Sequence, residues 1–287
     1  MRKFHTLADL RDWKPGPIRL GLLGDPVAHS LSPEMQNAAL AECGFAPRYA
    51  RFRILPNELG EALRLCAERD FIGVNLTVPH KVAGFALVEV EDQFARQAGA
   101  INTIRFEEGK LFGTNTDGPG FVRAIRESFN VELRDLRVLV LGAGGGAGQA
   151  VAATCALAGC PALTLVNRDF TKAQTLAARF PHRQILAVPW EATSLGKALA
   201  QTDLIVHATP LGLQPNDPAP LPCELLAPCH LTYDLNYGPT AFLAAAREAG
   251  ARAASGLTML LHQGALAFEF WFDRPAPLAV MRRALGF

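Results

Sequence analysis

Residues 137–147, Arg137-Val138-Leu139-Val140-Leu141-Gly142-Ala143-Gly144-Gly145-Gly146-Ala147, decide the fold of the second half of the chain. A β-rich run, Arg137–Leu141, leads straight into a glycine turn, and an alanine-rich helical segment follows. The turn fits G-x-G-x-x-A, with Gly142 for the tight turn and Gly144 for backbone approach to a pyrophosphate. Ala147 is then the small residue that lets helix and strand pack closely. A helix starting here points its free N–H groups at phosphate. The strand before and the helix after turn a bare glycine triplet into a nucleotide-binding motif.

The same alternation continues outward. Leu163–Val166, Leu204–His207 and Thr232–Leu235 read as strands and Phe170–Arg179 as a helix, which implies a parallel sheet with helices on both faces. The strand after the turn ends in Asn167-Arg168-Asp169. Asn167 stands where an acid for the ribose 2′-hydroxyl of NAD is expected, about 20 residues past the turn. Arg168 can pair with a 2′-phosphate, which favours NADP over NAD. Asp169 serves either a ribose hydroxyl or the cap of the next helix.

Composition bounds the rest. The chain has 287 residues, and at about 150 residues per domain that length suggests two domains. A hydrophobic fraction of 49% supplies two ordinary cores, and a net charge of +1 lacks the basic excess of a nucleic-acid binder. The six cysteines form no CxxC pair and no zinc-like spacing with histidine, so reduced thiols in a cytoplasmic protein without a metal are expected. Met1-Arg2-Lys3 is not followed by an apolar run, and no stretch reaches the roughly 18 apolar residues of a membrane span.

The first half alternates strand and helix less regularly. Residues 1–17 read as a short polar extension ending in Pro15-Gly16-Pro17. Strands follow at Ile18–Leu23, Tyr49–Ile54 and Phe71–Val78. Helices are expected from Ser32-Pro33 to Cys43, from Asn57 to Glu68 and from His80 to Val88. Ile101–Phe106 and Lys110–Thr114 flank Glu108-Gly109 as a hairpin. Three polar clusters stand out. Ser30 and Ser32, two residues apart at a helix start, can donate together to one carboxylate, although Ser32 alone would serve as a cap. Asn75 and Thr77 project to one face of a strand, with Lys81 just beyond. Asn102-Thr103 and Asn115-Thr116-Asp117 form the third. From Leu257 onward the chain is helical and apolar enough to pack back on the first half.

Eight stretches, GDPVAHSLSP (24–33), GVNLTVPHK (73–81), AGAINT (98–103), GTNTDG (113–118), GAGGGAG (142–148), VNRD (166–169), ATPLG (208–212) and GLTMLLHQGA (256–265), occur in this order. Together they make the chain resemble the shikimate dehydrogenase family from about residue 18 to the C-terminus. The resemblance implies an α/β protein of two domains. Residues 1–116 and 258–287 would form a substrate domain with a mixed sheet, and residues 117–257 a Rossmann-like NADP-binding domain. It implies reversible NADPH-linked reduction of 3-dehydroshikimate to shikimate, a step of aromatic amino-acid biosynthesis, in a cytoplasmic monomer or homodimer without nucleic-acid or membrane partners.

It also implies roles. Lys81 and Asp117 would be the catalytic pair, with Lys81 handling the proton. Ser30 and Ser32 would bind the substrate carboxylate, while Asn75, Thr77, Asn102 and Asp117 contact ring hydroxyls. Gln263 and Tyr237 would also reach substrate. Gly142, Ala143, Gly144, Gly145, Gly146, Asn167 and Arg168 would hold the cofactor, with Thr209, Leu235 and Gly256 at its nicotinamide end. Gly118-Pro119-Gly120 and Ala254-Ser255-Gly256 are either hinges or ordinary turns. Gln36, Asp169, Thr258 and a short loop at Tyr237 depart from the family pattern. The alternatives are an enzyme of the same family acting on quinate with NAD, or a cofactor-binding regulatory homologue without chemistry.

Overall fold

The computed structural model describes residues 4–14, 16–181, 184–214 and 216–287, so Pro15 and His182 lie outside the described residues. The chain forms two compact units, one of residues 1–120 with 260–287 and one of residues 121–259. The division falls inside two helices, Asp117–Phe129 and Leu257–Phe272.

The first unit is built on a mixed sheet of seven strands: β1 (His5–Thr6), β2 (Ile18–Gly24), β3 (Arg48–Arg53), β4 (Gly73–Leu76), β5 (Glu89–Val90), β6 (Thr103–Glu107) and β7 (Lys110–Thr114). Their order is β1-β3-β2-β4-β6-β7-β5. β4–β6 and β6–β7 pair antiparallel, and the other neighbours pair parallel. The β6–β7 hairpin turns through Glu108 (φ 50°) and Gly109 (φ 78°), the two successive left-handed residues that match the twist of the flanking strands. Leu23, Phe52, Leu63, Val74 and Ile104 are buried in one core.

The N-terminal segment is more than a polar extension. His5 and Thr6 extend the sheet beside Phe52 and Arg53 of β3. Thr6 and Asp9 cap the helix Leu7–Arg11 reciprocally, and that helix buries Leu7 and Leu10 in the same core. Two apolar positions three apart are too short a pattern to announce a helix in the sequence.

The second unit holds six parallel strands in the order β10-β9-β8-β11-β12-β13: β8 (Arg137–Leu141), β9 (Ala162–Val166), β10 (Ile185–Val188), β11 (Leu204–His207), β12 (Leu231–Asp234) and β13 (Arg252–Ser255). Alternate side chains enter opposite cores. Val138, Val140, Leu163, Leu165 and Val206 pack with Phe121, Ile125 and Val151. Leu139, Leu141, Val166 and Ile205 pack with Leu195, Leu199 and Phe242. A strand stretch covered on both faces favours apolar residues at every position, which is why Val138–Leu141 reads as a continuous run. Among the described residues, no helix is long and apolar enough to cross a membrane.

Leu10 is fully buried, so Leu10→Ala is expected to cost about 2–5 kcal/mol in chemical denaturation. An unchanged midpoint would detach the N-terminal segment from the core.

Candidate active site

The polar side chains of the first unit gather at one edge of its sheet. β2 and β4 run parallel, and Leu23 lies opposite Leu76 at their C-terminal ends. β6 runs the other way, with Thr103 opposite Asn75 and Thr114. The C-terminal ends of β2, β4 and β7 therefore share an edge with the start of β6. Ser30, Thr77, Asn102 and Asp117 all follow or precede strands at this edge, where open α/β sheets present their ligand sites.

Lys81 is the first residue of the helix Lys81–Phe85. Its Nζ donates to Asp117 Oδ2 at 2.7 Å, and the two side chains are 28% and 9% exposed. His80, just before it, is buried with its Nε2 2.8 Å from the Ile54 carbonyl, which anchors the turn. Asp117 opens the helix Asp117–Phe129. Its N–H and that of Gly118 both donate to Asn115 Oδ1, at 3.0 and 3.2 Å. Asn115 is in turn held by its Nδ2 on the Ala100 carbonyl and its N–H on Asp92. The sequence reading assigned no role to Asn115 or Asp92, although GTNTDG contains the Asn-x-Asp spacing of a local cap.

Asn102 is buried and doubly tied to Thr116, accepting its N–H at 2.7 Å and donating to its Oγ1 at 2.9 Å. Its Nδ2 also lies 3.5 Å from Gln263 Oε1, so the two amides meet. A Cβ on Gly120 would lie 2.8 Å from the Gln263 backbone nitrogen, so only glycine lets these two helices approach. Asn75 Nδ2 donates to Thr103 Oγ1 and the Asn102 carbonyl, and its Oδ1 accepts from the Tyr49 hydroxyl. Burial holds the Tyr49 hydroxyl well above the usual phenol range, so it stays a neutral donor. Both amide hydrogens of Asn75 are thus engaged within the protein, as those of Asn102 are.

β4 stops at Leu76, one residue short of Thr77, whose N–H donates to the Leu23 carbonyl and whose methyl group packs over Gly24. Ser32 is the first residue of its helix, after Leu31, and makes no side-chain cap. Its N–H donates to Ser30 Oγ, and the two hydroxyl oxygens lie 3.2 Å apart. The hydroxyls are therefore adjacent, and that of Ser32 has no capping duty. Arg51 fixes the Ser30 carbonyl from behind, with Nε at 3.1 Å.

In the second unit, Gly142 takes φ 87° at the end of β8, and its N–H and that of Ala143 donate to the Val166 carbonyl. A Cβ on Gly142 would lie 2.6 Å from the Thr209 methyl group. Gly144 N–H donates to Asn167 Oδ1 at 3.0 Å, and Asn167 Nδ2 to the Asp169 carbonyl. The close helix–strand contact is made one residue later than the sequence pattern suggests. Ala147 is exposed, whereas a Cβ on Gly148 would overlap the Gly142 carbonyl. Gly145 caps the helix Gly146–Ala158 without a side chain, leaving its first N–H groups for an anion.

Asn167 and Arg168 line a cavity of about 460 Å³ with Phe170, Trp190 and Glu191. Asp169 precedes the helix Phe170–Ala178 but makes no side-chain cap, and its carboxylate lies 4.0 Å from Lys172 Nζ. Thr209 and Leu235 follow β11 and β12, and the Leu235 carbonyl is where a Cβ on Gly256 would fall. Tyr237 is 41% exposed in the loop after β12. Gly118 and Gly120 are helical, whereas Ala254-Ser255 ends β13 and Gly256 makes the turn into the helix Leu257–Phe272. Sequence reasoning also missed a buried group around His207 and Asp234, 3.1 Å apart at the ends of β11 and β12. Among the described residues, no group of three or more His, Cys, Asp or Glu could hold a metal ion.

A dinucleotide turn on a parallel sheet, with a lysine–carboxylate pair on the edge of a second α/β sheet, defines a nicotinamide-dependent oxidoreductase. Residues 22–104 match the family model of the shikimate dehydrogenase substrate binding domain. Residues 124–211 match that of shikimate / quinate 5-dehydrogenase, and residues 256–285 that of the shikimate 5′-dehydrogenase C-terminal domain. The NADP(+) shikimate dehydrogenase of Desulforamulus reducens is 42% identical over 277 residues, covering 92% of this chain and 93% of its own. The shikimate dehydrogenase structure from Aquifex aeolicus superimposes with a TM-score of 0.86 at 34% identity, covering 96% of this chain and all of that one. That from Thermus thermophilus, in complex with NADP(H) and shikimate, gives 0.82 at 39% identity over 93% of this chain and 98% of its own. The chain belongs to the shikimate dehydrogenase family.

The register of the glycine motif is testable. Gly148→Val is expected to cost about 1–3 kcal/mol in stability by overpacking and to weaken dinucleotide binding. Ala147→Val, at an exposed position, should leave the denaturation midpoint near that of the parent. Equal losses in both variants would return the contact to Ala147.

Proposed function

We propose that the protein catalyses the reversible NADPH-linked reduction of 3-dehydroshikimate to shikimate, with residues 1–120 and 260–287 holding the substrate and residues 121–259 the cofactor. The Lys81–Asp117 pair, 2.7 Å apart at the polar sheet edge, carries this reading. The fit of the dinucleotide rests on the Gly142–Gly148 turn, where added Cβ atoms would overlap backbone, and on Arg168 beside an open cavity. When bound, the dinucleotide supplies the hydride for reduction and accepts it for oxidation.

The rest belongs to the chain. The Ser30 and Ser32 hydroxyls turn from each other to the substrate carboxylate. Asn102, Gln263 and Thr77 hold ring hydroxyls and fix the orientation of the ring. The Lys81 ammonium gives its proton to the ketone oxygen during reduction and recovers one from the hydroxyl during oxidation. Asp117, anchored by Asn115, keeps Nζ in place and accepts from the neighbouring hydroxyl. Arg168 pairs with the 2′-phosphate that distinguishes NADP from NAD.

Reduced-nicotinamide absorbance with shikimate and NADP⁺ tests the reaction directly. Lys81→Ala should lower kcat by about 10²–10⁴-fold with little change in KM for shikimate. A variant that kept kcat would remove Lys81 from the chemistry. Ser32→Ala should act on KM instead, raising it about tenfold by loss of one charge-assisted hydrogen bond. Arg168→Ala should weaken NADP⁺ while sparing NAD⁺. Quinate oxidised with NAD⁺ tenfold more efficiently than shikimate with NADP⁺ would transfer the assignment to the quinate-acting branch.

A further inference from the structure

His207 is the last residue of β11, and its register partner Asp234 is the last of β12. Both are wholly buried. Parallel partners present their side chains on one face, and here His207 Nδ1 lies 3.1 Å from Asp234 Oδ1. The other imidazole nitrogen, Nε2, lies 2.5 Å from Thr209 Oγ1. Asp234 also accepts the Asn236 N–H at 3.0 Å and the Thr240 hydroxyl at 2.5 Å.

Asp234 is the acceptor for its neighbours, so His207 Nδ1 donates to it. Nε2 and the Thr209 hydroxyl share the ring's other hydrogen bond, and Thr209 Oγ1 accepts the Leu211 N–H at 3.1 Å. Asn236 closes the group, with Nδ2 donating to the carbonyls of Thr209 and Leu211 at 3.3 and 2.9 Å. One chain of hydrogen bonds, anchored on buried His207 and Asp234, thus sets the loops after both β11 and β12. Its outer end is Thr209, whose methyl group faces Gly142 of the dinucleotide turn.

We propose that His207, acting through Asp234 and Thr209, is a positioning residue for the nicotinamide end of the cofactor. The inference rests on the assignment of Thr209 and Leu235 to that end. His207, wholly buried, acts by fixing the loops that carry Thr209 and Leu235. Arg168 stands just past the end of β9, and the cavity beside it shares Leu211 with this network, so the loss should fall less on the adenosine half than on the nicotinamide end.

The test compares the parent protein with His207→Leu and His207→Asn. Dissociation constants are measured for NADP⁺ and for adenosine 2′,5′-bisphosphate, which carries only the adenosine half, together with kcat and the KM for shikimate. His207→Leu should weaken NADP⁺ about tenfold and lower kcat, with the bisphosphate constant and the shikimate KM within about twofold of the parent. His207→Asn retains a donor for Asp234 but offers Thr209 no partner at the Nε2 position, and should fall between the two. If His207→Leu does not fold, the loss confined to NADP⁺ must appear in His207→Asn. Unchanged NADP⁺ binding in the folded variants, or equal weakening of NADP⁺ and the bisphosphate, would overturn the proposal. A parent protein that binds NADP⁺ without oxidising shikimate would instead sink the assigned reaction and leave the affinity comparison readable.

Discussion

A carboxylate shielded from water beside an ammonium group is costly unless the surrounding structure satisfies its other needs, and the first unit is arranged around that requirement. Asp117 lies 9% exposed against Lys81. It begins a helix, where the backbone dipoles favour a negative charge. Its own N–H is taken by Asn115, and Asn115 is clamped between the Ala100 carbonyl and Asp92. Asp92 itself caps the helix Gln93–Ala98 and accepts from Thr114. The geometry of one ion pair is therefore propagated through two helix starts and the end of β7. Lys81 remains 28% exposed, so its side of the pair is reachable by a substrate.

The second unit meets its constraint by other means. Its glycine turn is built with few side chains, relying on close backbone approach. Gly142 leaves no room for a side chain against Thr209, nor Gly148 against the Gly142 carbonyl. Asn167 is the exception, since it closes the loop from the end of β9. The first unit can therefore lose function by losing a hydrogen bond, whereas the second loses it by gaining a carbon atom. Both place their polar groups beyond the ends of strands, where the sheet supplies rigidity without occupying the space above it.

Legibility from sequence followed the same physics. Arg137–Leu141 and Leu204–His207 coincide with β8 and β11 because Val138–Leu141 and Leu204–Val206, buried on both faces, are apolar at every position. β10 (Ile185–Val188), partly exposed at the sheet edge, and β13 (Arg252–Ser255), built of small residues, carry no such signal. The pair Glu89–Val90 is shorter than any window over which periodicity can be read. Local hydroxyl and carboxyl signals misled at two helix starts. Ser32 is helical and pairs with Ser30, and Asp169 makes no side-chain cap. Lys81, Asp117, Asn102 and Gln263 were legible only as family motifs, since their meeting joins segments far apart in the chain. His207 was invisible for the same reason. At the end of an apolar run it has no local partner, and its carboxylate arrives from the next strand, 27 residues away.

The departure at Gln36 shows how such distant segments are kept in register. Gln36 is 1% exposed, and its Nε2 donates at 2.9 Å to the Gly264 carbonyl, 228 residues further on. Beside it Met35 fills the space that a side chain on residue 264 would need. The crossing joins the helix Ser32–Glu42 to the helix Leu257–Phe272, which carries Gln263. A buried amide suits this place because one N–H satisfies a carbonyl that would otherwise be enclosed without an extra partner. The crossing is one of several: Trp271 Nε1 donates to the Ile104 carbonyl at 2.9 Å, and Phe45 stacks on Phe272. Together these contacts give the C-terminal helix a physical reason to return to the first unit, because they fix Gln263 relative to Ser32.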